Sequence, residues 1–359
     1  KLQEEDAHFA AKEGYSSHKN PEPLYRAADV EDALQLVKAF PYRQEFEVGK
    51  NFKVTFYPSG HILGSAFVVL SALKKKLLFT SDMGRESHPL LSPPDAPPLI
   101  ECDAIVTEST YGDRLHESAS GEFAREINAA INRGGSVVIP AFAIDRTEVI
   151  LMALRDLIDK REIPPVPIYV DSPMAVAALI EYRNAVREGG IGIREGVATT
   201  WANQDPFDPG TLTNVTTTEH SKSLNQINEP HIIISASGMA TGGRVVHHLK
   251  RMLPDERNTV LLVGYQAQGS RGRALEDGLP RIRIHGEWID VKARIAKIES
   301  FSVHADSSEL LTWLGKCAKP KKIFVVHGEK EAEQTFKQKI QSVLGWNAIV
   351  PRMNEKFDL

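Results

Sequence analysis

Two short histidine segments near the end of the chain decide how its fold is interpreted: Phe301-Ser302-Val303-His304-Ala305-Asp306 and Val325-Val326-His327-Gly328-Glu329. Three segments of the same character lie upstream: Ser59-Gly60-His61-Ile62-Leu63-Gly64, Ser81-Asp82-Met83-Gly84 and Thr107-Glu108-Ser109-Thr110-Tyr111-Gly112. In each, a polar residue follows or closes a short apolar run, as side chains do at the ends of buried strands. Imidazoles and carboxylates gathered at one edge of a sheet form a typical site for a divalent metal.

The composition is that of a globular protein of two domains. The chain has 359 residues, of which 42% are hydrophobic and 25% charged. Its net charge of −4 means that a nucleic-acid partner requires a local basic groove. Cys102 and Cys317 are too far apart in sequence for a metal or redox motif, which favours a reducing cytoplasm. No apolar run approaches the length needed to cross a membrane, so we expect no membrane partner.

The first third of the chain is rich in strands. Alternating or continuous apolar runs predict strands over Phe52–Tyr57, Ala66–Leu70, Lys76–Thr80 and Ala104–Thr107. A helix is predicted over 31–39, and the proline-rich segment Ser87–Pro98 is predicted to be a loop.

Strands and helices alternate after Gly112, which predicts a mainly parallel sheet. The predicted helices are Glu122–Asn132, Glu148–Lys160, Met174–Glu188 and Arg244–Met252, and the predicted strands are Ser136–Pro140, Pro167–Asp171, His231–Ser235 and Thr259–Val263. The stretch Gly189–Asn225 is polar and is predicted to be irregular.

Strand-rich sequence returns from about Ile282. We predict a strand over Val291–Ile298, a helix over Ser307–Lys316 and a strand over Ile323–Val326. The candidate metal residues therefore flank the α/β middle on both sides, and the simplest interpretation is one domain inserted into another.

On these motifs the chain resembles the β-CASP proteins of the metallo-β-lactamase superfamily, RNA-processing ribonucleases similar to the cleavage-and-polyadenylation endonuclease. The middle of the chain carries the resemblance too, in Pro140–Ala143, Asp171–Met174 and Ser237–Met239. The remaining matches are His61 to the third metal motif, Asp82 to the fourth, Glu108 to motif A, His304 to motif B and His327 to motif C.

The resemblance implies an α/β fold: a metallo-β-lactamase αββα sandwich, incomplete at its N-terminus, with an inserted β-CASP α/β domain containing a mainly parallel sheet. Residues 1–112 and 281–359 then form the sandwich, and residues 113–280 form the inserted domain. The family's second motif, His-x-His-x-Asp-His, does not occur in the sequence. We expect it to precede the region that resembles residues 1–15, and we expect the chain by itself to be inactive.

The resemblance also implies a metal-dependent chemistry with two zinc ions, whose site would be incomplete in this chain. His61 would serve one ion and His327 the other, and Asp82 would bridge them. The activated hydroxide would attack the scissile phosphorus. His304 would protonate the leaving oxygen or hold a non-bridging oxygen, and Glu108 would orient His304. Glu108 could instead cap the turn that follows it.

Three groups of residues in the middle of the chain are candidates for substrate binding. The glycine-rich loop with Ser237 and Gly238 can offer N–H groups to a phosphate, although a tight strand-to-helix turn explains it equally well. Ser172 can contact substrate or simply cap the next helix. Arg271 and Arg273 are suited to phosphodiester binding, but they can equally form a solvated charged face.

The leading hypothesis, for the intact protein, is a zinc-dependent ribonuclease that acts on single-stranded RNA in the cytoplasm. The first alternative is a non-catalytic RNA-binding or scaffold subunit, which loss of all zinc binding would favour. The second is a small-molecule ester or thioester hydrolase of the same superfamily, which lactone hydrolysis without RNA cleavage would favour. The sequence leaves endonucleolytic and 5′-exonucleolytic cleavage open. Homodimerisation agrees with the resemblance, but no residue pattern demonstrates it.

Overall fold

The computed structural model describes residues 2–14, 18, 20–116, 121–190, 192–201 and 204–359. The chain forms two compact units, and each is described by itself. Unit 1 comprises Lys1–Lys38, Ser118–Asn184 and Asn203–Phe301, and unit 2 comprises Ala39–Glu117, Ala185–Ala202 and Ser302–Leu359.

The regular elements alternate along most of the chain. The strands are β1 (Glu45–Val48), β2 (Phe52–Pro58), β3 (Ala66–Ala72), β4 (Lys75–Phe79), β5 (Ala104–Thr107), β6 (Val137–Pro140), β7 (Ile168–Val170), β8 (Leu212–Asn214), β9 (Ile232–Ser235), β10 (Thr259–Leu262), β11 (Arg281–Ile284), β12 (Glu287–Asp290), β13 (Arg294–Lys297), β14 (Lys322–Val325) and β15 (Ala348–Ile349). The α-helices are α1 (Leu2–Glu13), α2 (Ala27–Leu34), α3 (Glu122–Asn132), α4 (Arg146–Asp159), α5 (Pro173–Glu188), α6 (Val197–Thr200), α7 (Thr218–Ser223), α8 (Arg244–Met252), α9 (Arg271–Glu276), α10 (Ser307–Leu314) and α11 (Lys330–Lys339).

Unit 1 is built on a six-stranded sheet with the order β13-β10-β6-β9-β7-β8. Every neighbouring pair in it is parallel. Each residue of β6, β9 and β10 is buried, as in parallel sheets whose two faces are both covered. The predicted parallel sheet in the middle of the chain is confirmed.

Unit 2 is built on a seven-stranded sheet with the order β1-β2-β3-β4-β5-β14-β15. The pairs β1–β2, β2–β3 and β3–β4 are antiparallel, whereas the pairs β4–β5, β5–β14 and β14–β15 are parallel. Its core includes Phe67, Leu78, Ile105 and Phe336, all almost fully buried. The Phe67 ring packs edge-on against Trp313, with ring centroids 5.1 Å apart. The α/β class predicted from the sequence is thus confirmed in both units.

Most predicted elements coincide with observed ones. Strand β5 and helices α3 and α8 match the prediction at both ends, and the predicted loop Ser87–Pro98 contains no helix or strand. The sequence prediction omitted α1, α9, α11 and the hairpin β11–β12. Helix α11 was hard to recognise because it buries only Ala332 and Phe336.

Helix α2 begins earlier than the predicted range 31–39. The Asp29 carboxylate accepts a hydrogen bond from the Arg26 N–H at 2.7 Å, which starts the helix at Ala27. The predicted strand Val291–Ile298 is also too long. The Val291 N–H is bonded to the Pro280 carbonyl, which continues the β11–β12 pairing, and β13 begins only at Arg294.

The prediction that Gly189–Asn225 is irregular is partly wrong. This stretch contains α6 and α7, and β8 adds an edge strand beside β7. Residues 191 and 202–203 of the stretch lie outside the described residues. In the described part of the chain, none of the helices combines the length and apolarity needed to span a bilayer.

Glu148, in the first turn of α4, makes the stability of unit 1 depend on pH. Burial, reinforced by the nearby Asp145 carboxylate, raises the pKa of Glu148 to about 8. Between the unfolded pKa and this value the folded state holds a proton that the unfolded state has lost, so the free energy of unfolding falls as pH rises. We predict a slope from this residue of up to about 1.4 kcal/mol per pH unit.

Urea denaturation of the wild type and of Glu148→Gln, at intervals from pH 5 to pH 8, measures this effect. The variant should gain stability relative to the wild type as pH rises, because glutamine remains neutral throughout. Parallel stability curves for the two proteins would contradict the prediction.

Candidate functional site

Three of the predicted site residues lie at one edge of the unit 2 sheet because their strands run parallel. Asp82 follows β4, Glu108 follows β5 and His327 follows β14. Strand β5 pairs in parallel with both β4 and β14. The carboxyl ends of the three strands therefore meet at the same edge, which is where ligands bind in sheets of this kind.

His61 reaches this edge from the connection between β2 and β3. Strand β3 is antiparallel to β4, with Val68 opposite Phe79, so β3 begins where β4 ends. The Ser65 hydroxyl accepts hydrogen bonds from the N–H groups of His61, at 3.1 Å, and Ile62, at 3.2 Å. This turn holds the His61 backbone in place.

The Asp82 carboxylate lies between two imidazoles. Its Oδ1 is 3.2 Å from Nδ1 of His327, and its Oδ2 is 3.8 Å from Nε2 of His61. Two sets of three side chains have ligand atoms within 4.8 Å of one another: His61, Asp82 and His304, and Asp82, Glu108 and His327. Asp82 belongs to both sets.

The buried Glu108 and the partly buried His304 form a carboxylate–imidazole pair beside Asp82. Nδ1 of His304 lies 3.2 Å from Oε2 of Glu108, and the Met83 N–H donates to Oε1 of Glu108 at 2.5 Å. Burial alone would raise the pKa of the Glu108 carboxyl, but the contacts with His304 and Met83 outweigh it and hold the pKa below its usual value. The carboxylate keeps Nδ1 of His304 as the donor, which leaves Nε2 on the other side of the ring.

The His304 backbone is held against the Asp82 loop. His304 and Gly84 form an isolated antiparallel bridge, and the Ala305 N–H donates to the Met83 carbonyl at 2.8 Å. Asp306, two residues on, accepts the N–H groups of Ser308 and Glu309 and caps α10. Its carboxylate therefore has a structural task at the helix start.

Several positions in these loops require glycine. A Cβ on Gly84 would lie 1.9 Å from the Gly60 carbonyl oxygen, and a Cβ on Gly328 would lie 2.8 Å from the Ser109 carbonyl oxygen. The Asp82 loop therefore packs against the backbone of the His61 loop, and the His327 loop packs against the backbone at Ser109. His327 itself has a φ of 55° and Ser81 a φ of 52°, a left-handed conformation that is uncommon outside glycine and is concentrated at functional sites.

The structure thus brings together His61, Asp82, Glu108, His304 and His327, the five residues predicted as metal-binding or catalytic. It also shows a contact that the sequence analysis missed, since Oγ1 of Thr110 lies 3.2 Å from Nδ1 of His327. The sequence could have suggested Thr110 as a further site residue, because it lies only two residues after Glu108 in the same segment.

The five residues predicted to bind substrate lie in unit 1. Ser172 is buried, and its Oγ accepts the Ala175 N–H at 3.3 Å in the first turn of α5, as a helix cap does. Oγ of Ser237 pairs with Oγ1 of Thr241 at 3.0 Å, and the Gly238 carbonyl accepts a hydrogen bond from the Gln266 amide at 3.1 Å. Their roles in substrate binding stay predictions.

The two predicted arginines have acceptors within the protein. Arg271 donates to the carbonyls of Arg283 and Thr241, both at 2.9 Å, and so joins the hairpin to the glycine-rich loop. Arg273 donates to Asp277 at 2.8 Å. These contacts favour structural roles, although phosphate contact by either residue stays a prediction.

The donors in unit 2 fit a divalent metal. Imidazole nitrogen and carboxylate oxygen are ligands that zinc uses, and they also suit other divalent transition metals. Each set has three possible donors, but Glu108 and His304 are paired with each other, which leaves Asp82 with His61 in one set and Asp82 with His327 in the other. Asp82 belongs to both sets, and its carboxylate has two oxygens that can act as metal ligands.

Comparison with known protein families agrees with this geometry. Residues 147–275 match the Beta-Casp domain. Residues 288–351 match the Zn-dependent metallo-hydrolase RNA specificity domain, and this match includes His304 and His327. The match supports a metal as the cofactor of the site.

Several curated proteins are similar over most of the chain. Ribonuclease TTHA0252 of Thermus thermophilus is 37% identical over 313 residues, which cover 86% of this chain and 70% of that protein. An RNase J-like protein of Methanocaldococcus jannaschii is 34% identical over 91% of this chain and 76% of its own length. The transcription termination factor FttA of Pyrococcus abyssi is 32% identical over 86% of this chain, but this chain spans only 49% of it.

We predict that Gly84→Ala disrupts the site through the backbone. The new methyl group would overlap the Gly60 carbonyl, so the His61 and Asp82 loops must separate. The free energy of unfolding, measured by urea denaturation, should fall by more than about 2 kcal/mol. Gly190→Ala is the matched control in the same unit, because a Cβ there meets no atom within 4 Å. Equal stability of the two variants would contradict the packing described here.

We predict that Asp82→Asn weakens metal binding, because it removes the only charge shared by both sets of donors. The affinity for zinc should fall by at least about tenfold. Mass-spectrometric metal analysis after dialysis against graded zinc buffers measures the change. Asp277→Asn, which removes a surface carboxylate in unit 1, should retain the wild-type metal content. Wild-type affinity in Asp82→Asn would rule out the carboxylate as a ligand.

Proposed function

Because this chain belongs to the β-CASP family of the metallo-β-lactamase superfamily, we propose that it is a metal-dependent ribonuclease that hydrolyses phosphodiester bonds of RNA. One observation carries the proposal: Asp82 lies between His61 and His327, directly beside the Glu108–His304 pair. Metal-binding and proton-transfer groups are thus present at the same sheet edge.

We propose that the metals are two zinc ions and that Asp82 is common to both. His61 would bind one ion and His327 the other, in agreement with the two sets of donors. Bound zinc supplies Lewis-acid activation of the attacking water and of the phosphodiester. The contact between Oγ1 of Thr110 and Nδ1 of His327 helps to hold the His327 ring in position.

His304 is proposed to act on the substrate through Nε2, because Nδ1 faces Glu108. A protonated Nε2 can donate to the leaving oxygen or to a non-bridging oxygen of the phosphodiester. Glu108 acts as a positioning residue, since its carboxylate holds the orientation of the His304 ring.

RNA is the proposed substrate because relatives of this chain are ribonucleases and its last part matches an RNA specificity domain. We propose that the RNA is single-stranded and that the protein acts in the cytoplasm, in agreement with the free thiols of Cys102 and Cys317. Residues 113–280 are proposed as the inserted domain, between the two metallo-β-lactamase portions 1–112 and 281–359. A homodimer stays a prediction.

The Glu108–His304 pair distinguishes this proposal from the two alternatives. A scaffold subunit has no need of a buried carboxylate that orients an imidazole beside a metal site. The match to an RNA specificity domain supports RNA over a small ester or thioester.

We predict that His304→Ala lowers the rate of RNA cleavage by about 10²- to 10⁴-fold, the usual contribution of a general acid. Glu108→Gln should lower it by about 10- to 100-fold, since the ring loses its positioning partner. Initial rates of the full-length protein on end-labelled single-stranded RNA measure both effects, and zinc content is determined in parallel.

The exposed His8 gives a matched control, and His8→Ala should cleave at the wild-type rate. Wild-type cleavage by His304→Ala would contradict the proposed role of His304. Hydrolysis of lactones by the wild type, with no cleavage of RNA, would overturn the ribonuclease proposal itself.

A further inference from the structure

The unit 1 sheet has a topological switch point between β6 and β9. These strands are neighbours, but the chain passes from β6 beyond β9 to β7, and from β9 back beyond β6 to β10. Because crossovers between parallel strands are right-handed, two crossovers in opposite directions lie on opposite faces of the sheet. In open parallel sheets, ligands bind at such a point, outside the carboxyl ends of the strands.

An exposed aromatic ring lies at this switch point. Phe142 follows β6 and is 41% exposed, which is unusual for a phenylalanine. Its ring lies against Gly238, which follows β9: a Cβ on Gly238 would be 2.8 Å from Cδ2 and 3.0 Å from Cε2 of Phe142. One side of the ring is thus packed on backbone, and the rest of it is accessible.

Hydrogen bonds hold both loops in position. The Thr147 hydroxyl donates to the Phe142 carbonyl at 2.9 Å. The side-chain amide of Gln266, only 2% exposed, donates to the carbonyls of Gly238 and Gly264, each at 3.1 Å. The ring is therefore held in place before any ligand binds, which lowers the entropic cost of binding.

The charges around the ring do not oppose the binding of an anionic polymer. The acidic residues of the adjoining loops, Asp145 and Asp171, are fully buried. Asp171 is also neutralised by Arg244 at 2.7 Å and lies 2.6 Å from His248. These loops therefore present no exposed carboxylate that would repel phosphate groups.

We propose that the exposed face of Phe142 is a stacking site for one nucleobase of the single-stranded RNA substrate. The inference rests on the proposed ribonuclease function and assigns to unit 1 a share in substrate binding. Stacking on an aromatic ring tolerates any base, because every base has a π face. Phe142 is a binding residue and takes no part in the chemical step.

The test compares Phe142→Ala with Phe142→Trp and with Ile144→Ala. Ile144 lies in the same loop and is also 41% exposed, so it controls for the loss of apolar surface alone. Each change is made in the wild type, to measure kcat and KM, and in a His304→Ala background, to measure equilibrium binding. The probe is a fluorescently labelled single-stranded RNA, used intact and with one abasic position at each site in turn.

Phe142→Ala should weaken binding and raise KM by roughly tenfold, with little change in kcat. Phe142→Trp should bind at least as tightly as the wild type, and Ile144→Ala should change binding less than about twofold. One abasic position should remove the difference between Phe142→Ala and the wild type. Gly238→Ala, which displaces the ring, should reproduce the loss.

Equal losses in Phe142→Ala and Ile144→Ala would overturn base stacking, because they would indicate a general apolar contact such as a protein partner would make. Unchanged RNA binding by Phe142→Ala, in a protein that cleaves RNA, would overturn the stacking site and leave the ribonuclease proposal standing. Absence of both RNA binding and RNA cleavage in the wild type would overturn the two together.

Discussion

Strands β4, β5 and β14 run parallel and end side by side, and the candidate metal site depends on this alignment. Each strand delivers one polar residue just past its carboxyl end, where the chain leaves the covered part of the sheet. The antiparallel β3 contributes from its start, which brings His61 to the same edge. The absence of a side chain at Gly84 then allows its loop to approach the Gly60 carbonyl more closely than any other residue would permit.

The Glu108–His304 pair shows how a buried charge is supported in this site. A carboxylate removed from water is costly unless it is hydrogen-bonded or paired. Glu108 has both kinds of partner, the Met83 N–H and the His304 ring, and its pKa accordingly lies below the usual value despite burial. By contrast, burial raises the pKa of Glu148 in unit 1, and the nearby Asp145 carboxylate adds to the effect. The two residues have the same side chain, and their surroundings decide which form is stable.

The sequence predicted much of this arrangement because the signals are local. Apolar runs located β5 and most of the other strands, and helical periodicity located α3 and α8 at both ends. Where the prediction was wrong, the cause was a single capping contact, a weak pattern or a contact distant in sequence. The start of α2 depends on one capping contact, and α11 carries too few apolar residues to be recognised. The contacts that Arg271 makes with backbone carbonyls were equally hidden, since their partners lie up to 31 residues away.

By itself the sequence determined which residue types close each strand, and its motifs identified the family and the five candidate site residues. The tertiary structure decided which of these residues meet: the 3.2 Å contact between Asp82 and His327 joins positions far apart along the chain. It also decided that Phe142 is an exposed ring resting on Gly238, a property that no periodicity reveals. The physical reason is that strand order and loop packing are set by the whole sheet, whereas sequence patterns report only local conformation and burial.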